Sequence, residues 1–140
     1  MFCFIMFELF EKTAADCSKN ITGAYSTSFS LGIKTLHPRY HEPIYGIYGI
    51  VRYADEIVDT FHFSDKQKLL EEFQKDTYQA IEDKISLNPI LHSFQLAVHT
   101  YQIRKEWIDT FLASMRMDLH KREYTPENYQ TYILGSAEVV

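Results

Sequence analysis

The amino-acid sequence predicts an all-α fold, and three observations carry that expectation. Apolar residues recur at helical spacing: Ile108, Phe111, Leu112, Met115 and Leu119 fall on one face between Lys105 and Lys121. Pairs such as Asn88-Pro89 and Thr125-Pro126 set a capping side chain before a proline, whose missing N–H is no loss in the first turn of a helix. No segment of useful length alternates with the strand period.

The elements follow in order. Glu8 to Asn20 opens the chain, and Thr22 to Thr35 forms a second helix with an irregularity expected near Gly32. A loop around His37 and Pro38 leads to a long helix from about Arg39 to Phe61, with Pro43 in its first turns. Ser64 to Gln67 has the capping-box pattern and starts a helix reaching about Ile85. Asn88-Pro89 starts the next, which runs to about Gln102; the amphipathic helix Lys105 to Lys121 comes after it, and Thr125-Pro126 begins the last. Glu138-Val139-Val140 is apolar and uncapped, so the chain is expected to be the N-terminal part of a longer protein. Residues 1–7, MFCFIMF, read as an apolar extension. They are too short to span a bilayer and lack the basic flank and cleavage site of a signal peptide. Met6 is the expected natural start, and a weak membrane-surface anchor is the lesser reading.

With 140 residues, a single domain is expected. The net charge of −5, with Lys and Arg scattered, argues against a nucleic-acid partner. Cys3 and Cys17 match no metal or redox spacing, which points to a reducing, cytoplasmic compartment. Aromatic residues make up 15%; packing accounts for most of that, and a tunnel for an apolar substrate would also use Phe and Tyr. His37 and His41 are four apart, but Pro38 interrupts the helix between them, so they are not read as a metal site. His92, His99 and His120 read as surface or core residues. Gly46 and Gly49 are expected to permit close approach of a neighbouring helix or a substrate tail. No P-loop, dinucleotide fingerprint, CxxC pair or hydrolase elbow occurs.

The most informative stretch is Tyr45 to Thr60, YGIYGIVRYADEIVDT. Tyr48, Arg52, Asp55 and Asp59 are separated by steps of four, three and four, which place them on one stripe of a helix. Two carboxylates one turn apart can share a hard cation, and an arginine one turn earlier suits a phosphate oxygen, so the set fits a magnesium-bound diphosphate. Spacing alone is weak, since Glu72 and Asp76, and Glu123 and Glu127, are also four apart and read as solvated faces. Asp55 and Asp59 differ in following Ile44, Ile47, Ile50 and Val51 and alternating with Ile57 and Val58. Carboxylates on so apolar a helix need a partner, a metal or a wet cleft.

These residues resemble the squalene and phytoene synthase family. Its members carry an S-x-S-F segment, then a Y-A-x-x-R-x-x-D-[DE]-x-x-D helix, then a Y-x-x-x-x-A-G-x-V helix. Here the segments read Ser26-Thr27-Ser28-Phe29, Tyr48 to Asp59, and Tyr132-Ile133-Leu134-Gly135-Ser136-Ala137-Glu138-Val139-Val140. The resemblance covers roughly residues 16–140. Two positions depart from it: Glu42 stands where an arginine would fall, and Glu138 where the family has glycine.

The resemblance implies the N-terminal portion of an isoprenoid-synthase helical bundle. It implies a prenyltransferase joining two prenyl diphosphates head to head, most like a phytoene synthase acting on geranylgeranyl diphosphate in carotenoid biosynthesis. A squalene or dehydrosqualene type acting on farnesyl diphosphate is the alternative within the class, and a non-catalytic helical binding module is the alternative outside it. Asp55 and Asp59 would then be magnesium ligands and catalytic, and Tyr132 a catalytic wall residue. Ser26, Ser28, Phe29, Tyr48 and Arg52 would bind substrate. A second Asp-rich helix would lie in a missing C-terminal half, leaving this piece alone inactive. Peripheral association with the inner face of a membrane is a further expectation.

Overall fold

A computed structural model of the chain describes residues 1–120 and 126–140. Among these the regular elements are helical, and no strand occurs. The α-helices are α1 (Phe2–Tyr25), α2 (Thr27–Lys34), α3 (His41–Asp59), α4 (Lys66–Asp83), α5 (Pro89–Tyr101), α6 (Lys105–Leu119) and α7 (Pro126–Ile133). A 3-10 turn, Pro38–Tyr40, precedes α3, and a π-helical turn, Leu134–Glu138, follows α7. The all-α expectation is therefore met. The expectations that placed Lys121 at the end of α6, Glu123 in a solvated pair and Thr125 as the cap of α7 lie outside the described residues.

Several boundaries differ from the sequence reading, each for a local reason. The opening helix is longer than expected, because residues 2–7 continue its turns rather than forming a separate extension. The break between α1 and α2 falls at Ser26 rather than between Asn20 and Thr22, and the irregularity expected near Gly32 does not occur. Ser26 is extended (φ −148°, ψ 96°); its N–H closes α1 on the Thr22 carbonyl at 2.9 Å, and its Oγ opens α2 by accepting from the Phe29 N–H at 3.2 Å. Gly32 is simply helical. The cap of α4 is Asp65, whose Oδ1 accepts from the Lys68 N–H at 3.1 Å, one residue beyond the expected Ser64. Asn88 does cap α5, accepting from the N–H groups of Ile90 and Leu91 at 3.0 and 3.4 Å. Gln102 closes α5 in the left-handed region (φ 51°).

The chain falls into two compact units. The first comprises residues 1–52 and 76–102, the second residues 53–75 and 103–140. In the first, α5 is buried almost all round through Ile90, Leu91, Phe94, Ala97 and Val98, as a central helix must be. It packs on α1, and α1 also carries α2. Gly46 and Gly49 bring α3 against this layer: a Cβ at Gly46 would meet the Ser93 carbonyl oxygen at 2.8 Å, and one at Gly49 would meet Ile90 Cγ2 and Ser18 Oγ at 3.2 Å. The close approach expected of these glycines is thus to a neighbouring helix.

His92 is completely enclosed in the first unit. Its Nδ1 accepts from the Ser86 N–H at 3.2 Å, which leaves the proton of the neutral ring on Nε2, 3.6 Å from Glu11 Oε1. Burial pushes its pKa below the usual 6.5, outweighing the opposing pull of Glu11. The expectation for His92 narrows to the core. His99 is exposed, its Nε2 within hydrogen-bond distance (2.8 Å) of the Ile81 carbonyl.

The second unit gathers Ala54, Ile57, Val58 and Leu70 with Ile108, Phe111, Leu112 and Met115 of α6. Its α6 face is the one the periodicity predicts, except that Leu119 is only half-buried. The last turn of α3 is closed by Lys66, whose Nζ donates to the Val58 carbonyl; a cation suits the negative end of a helix. Gly135, in the π-helical turn, lies so close to α6 that a Cβ would sit 2.5 Å from the Thr110 carbonyl oxygen.

Candidate functional site

Helix α3 runs unbroken from His41 to Asp59, so Tyr48, Arg52, Asp55 and Asp59 do share a stripe along it. The other side of the helix carries Ile50, Ala54, Ile57 and Val58 into the interior. Tyr48, Arg52 and Asp55 are half-buried and Asp59 is exposed. No residue of α3 from 43 to 58 is exposed, so the stripe follows the half-buried side of a helix that is enclosed or half-enclosed all round and reaches open solvent only at Asp59. The Asp59 carboxylate, being exposed, is open to a ligand from solvent.

The segment around the Ser26 break supplies aromatic rings to this stripe. Phe29 stacks on Tyr48 with ring centroids 5.0 Å apart and planes 26° from parallel. The Arg52 guanidinium carbon lies 4.6 Å from the centroid of the Tyr25 ring. Residues 25 and 29 are one turn-length apart in sequence, as are 48 and 52, and they pair in reverse order, giving two successive rungs. Tyr25 was not legible as a site residue. Its only signal is its place four residues before Phe29, which acquires meaning once the turn at Ser26 is known.

The remaining site residues fall in different surroundings. Ser26 uses an Oγ lone pair to cap α2, which leaves its O–H as a donor. Ser28 is exposed on the first turn of α2. Tyr132 is half-buried near the end of α7 and belongs to the second unit. His37 and His41 serve local structure: His37 Nδ1 accepts from the Arg39 N–H at 3.2 Å, and His41 Nε2 lies 2.9 Å from the Leu36 carbonyl oxygen.

The donor set can be tested against a magnesium ion. Asp55 and Asp59 offer hard oxygen donors one turn apart on a single helix. Among the described residues, no group of three or more His, Cys, Asp or Glu side chains converges as a ready-made metal cage. A pair of carboxylates fits magnesium in its usual mode, in which water and phosphate oxygens complete the octahedron.

The sequence model describing squalene/phytoene synthase matches residues 22–140. The presqualene diphosphate synthase of Zymomonas mobilis subsp. mobilis is 33% identical over 61 residues, which make up 44% of this chain and 21% of that protein's length. The matched motif order, the helical fold and a family match that spans most of the sequence lead to one conclusion: the chain belongs to the squalene/phytoene synthase family.

Proposed function

We propose that the protein containing this chain condenses two prenyl diphosphates head to head, with Asp55, Asp59, Arg52 and Tyr48 receiving a diphosphate. The observation that carries this reading is the Tyr48–Arg52–Asp55–Asp59 stripe on one continuous helix of a squalene/phytoene synthase chain. The chemical difficulty is the leaving group, because a departing diphosphate carries several negative charges. Arg52 offers in-plane N–H donors to its oxygens, and the Tyr48 hydroxyl adds a neutral donor. Asp55 and Asp59 would hold magnesium, which when bound supplies Lewis-acid neutralisation of the leaving oxygens. Loss of one diphosphate leaves an allylic cation. The double bond of the second molecule attacks it, a proton departs and a cyclopropyl diphosphate results. Phe29 and Tyr132 would line the wall that keeps water from the cation. Ser26 and Ser28 would donate hydroxyl hydrogens to the diphosphate.

A phytoene-type reaction on geranylgeranyl diphosphate is the primary reading. The name of the Zymomonas relative favours a second, in which farnesyl diphosphate is the substrate and presqualene diphosphate is formed. The whole protein would include a further C-terminal half with the second Asp-rich helix. It would act in the cytoplasm, and the exposed apolar start of α1 would favour peripheral contact with a membrane. No helix of the described residues is long and apolar enough to cross one.

Full-length protein incubated with magnesium and either geranylgeranyl or farnesyl diphosphate should yield a hexane-extractable C40 or C30 hydrocarbon, or a cyclopropyl diphosphate retained in the aqueous phase. Formation of none of these from either substrate refutes the reading.

A further inference from the structure

We infer that Tyr25 is a positioning residue for Arg52, holding the guanidinium in place for a diphosphate; this rests on the function proposed above. An arginine side chain is long and samples many rotamers, so its use against a leaving group depends on something fixing its plane. The Arg52 guanidinium lies over the Tyr25 ring at 4.6 Å. A cation is drawn to the electron-rich face of an aromatic ring, and a planar guanidinium can stack on such a face. Its N–H donors point outward in the plane, so one guanidinium can rest on a ring and grip two oxygens at once.

Tyr25 is itself well anchored. It is the last residue of α1, and the next residue, Ser26, is tied to both helices through the Thr22 carbonyl and the Phe29 N–H. Thr22, one turn earlier, is fully buried, and its Oγ1 donates to the Ser18 carbonyl at 2.9 Å. The neighbouring Phe29–Tyr48 stack holds α2 to the same helix that carries Arg52. Yet Tyr25 is 50% exposed, so core packing does not account for an aromatic ring there. The contact with Arg52 does, and it places the ring under the arginine rather than among the reacting atoms.

The test uses full-length protein and compares Tyr25→Phe, Tyr25→Leu, Arg52→Gln and the double variant Tyr25→Leu/Arg52→Gln. The readouts are inhibition by inorganic pyrophosphate with magnesium, KM, kcat and the melting temperature. Tyr25→Phe keeps the ring face and should stay within about twofold of wild type. Tyr25→Leu should weaken pyrophosphate inhibition and raise KM about fivefold, the scale of one exposed cation–π contact, with little change in melting temperature. In the Arg52→Gln background the leucine change should add nothing, because a positioning residue acts only through the group it positions. Tyr25→Gln is a second ring-free variant if the leucine protein misfolds. If Arg52→Gln weakens pyrophosphate binding while Tyr25→Leu and Tyr25→Gln do not, the role of Tyr25 is overturned and that of Arg52 stands. An additive effect in the double variant, or a Tyr25→Phe loss equal to the leucine loss, also overturns it. Unchanged pyrophosphate inhibition in Arg52→Gln removes the role of Arg52 in the proposed function itself.

Discussion

Asp55 is half-buried and Asp59 exposed, one turn apart on α3, and the metal-ligand role proposed for them makes a direct prediction. Asp55→Asn or Asp59→Asn keeps the shape and removes a metal-binding charge. Steady-state assays of the full-length protein should show turnover reduced at least 100-fold, roughly the loss seen when one group stabilising transition-state charge is removed. For the exposed Asp59→Asn the melting temperature should hardly move, since removing one of two neighbouring like charges is neutral or mildly favourable. A variant that keeps near-normal turnover at limiting magnesium rules out the ligand role. The two glycines on the same helix make a contrasting pair. An alanine at Gly46 would press on a backbone carbonyl at 2.8 Å, whereas at Gly49 the neighbours at 3.2 Å are side-chain atoms. Alanine gains about 1 kcal/mol of helix propensity at either position, and overpacking costs about 1–3 kcal/mol. Denaturant titration should therefore find Gly46→Ala destabilised by roughly 1 kcal/mol and Gly49→Ala close to neutral.

At the scale of elements, α5 is the helix around which the first unit is built, and two features secure it. Asn88 satisfies two of its first N–H groups just ahead of Pro89. Asn88→Ala should lower stability by about 1 kcal/mol, measurable as a lower denaturant midpoint with an unchanged slope. The second feature is the enclosed imidazole of His92, which accepts from Ser86 on one side and faces Glu11 on the other. Its pKa in the folded state lies below 6.5, so below that pH the unfolded chain binds the proton more readily than the folded one. The neutral ring's contribution is complete above pH 6.5 and is lost as the pH falls toward the lowered value. Thermal melts between pH 7.5 and 5.5 should show a falling transition for wild type and a flatter profile for His92→Gln. Equal slopes would mean that other groups dominate acid sensitivity.

For the whole molecule, the distribution of apolar surface is the distinctive property. Phe2, Phe4, Ile5, Leu9, Phe63 and Leu87 are all exposed. Isolated exposed leucines are ordinary, but the run at the start of α1 places several large side chains on successive turns of one helix. At about 25 cal/mol per Å² of apolar area, covering such a patch favours association. The 140-residue chain expressed alone should therefore self-associate and bind a hydrophobic dye. Removal of residues 1–5 should reduce both. Sedimentation velocity showing a dye-negative monomer would count against this expectation.

The fold class, most helix starts and the common stripe of Tyr48, Arg52, Asp55 and Asp59 are legible in the sequence alone. These are local properties: a 3.6-residue repeat, a side chain able to cap, and a spacing of four, three and four can be read without knowing what lies alongside. Asn88 and the α6 face are legible for that reason. Capping at α4 moved from Ser64 to Asp65 because adjacent residues can both accept, and only the chain's approach selects one. The Ser26 break was hidden because serine also tolerates a helix, and the extended conformation there is set by how α2 lies on α1. Everything that depends on that bend was hidden with it: the Phe29–Tyr48 stack, and Tyr25 beneath Arg52. Those pairs join residues 19 and 27 positions apart, and no periodicity encodes a partner across a turn. Tertiary structure likewise decided that Gly46 and Gly49 serve helix contact, since only the position of α5 puts Ser93 and Ile90 where a Cβ would stand.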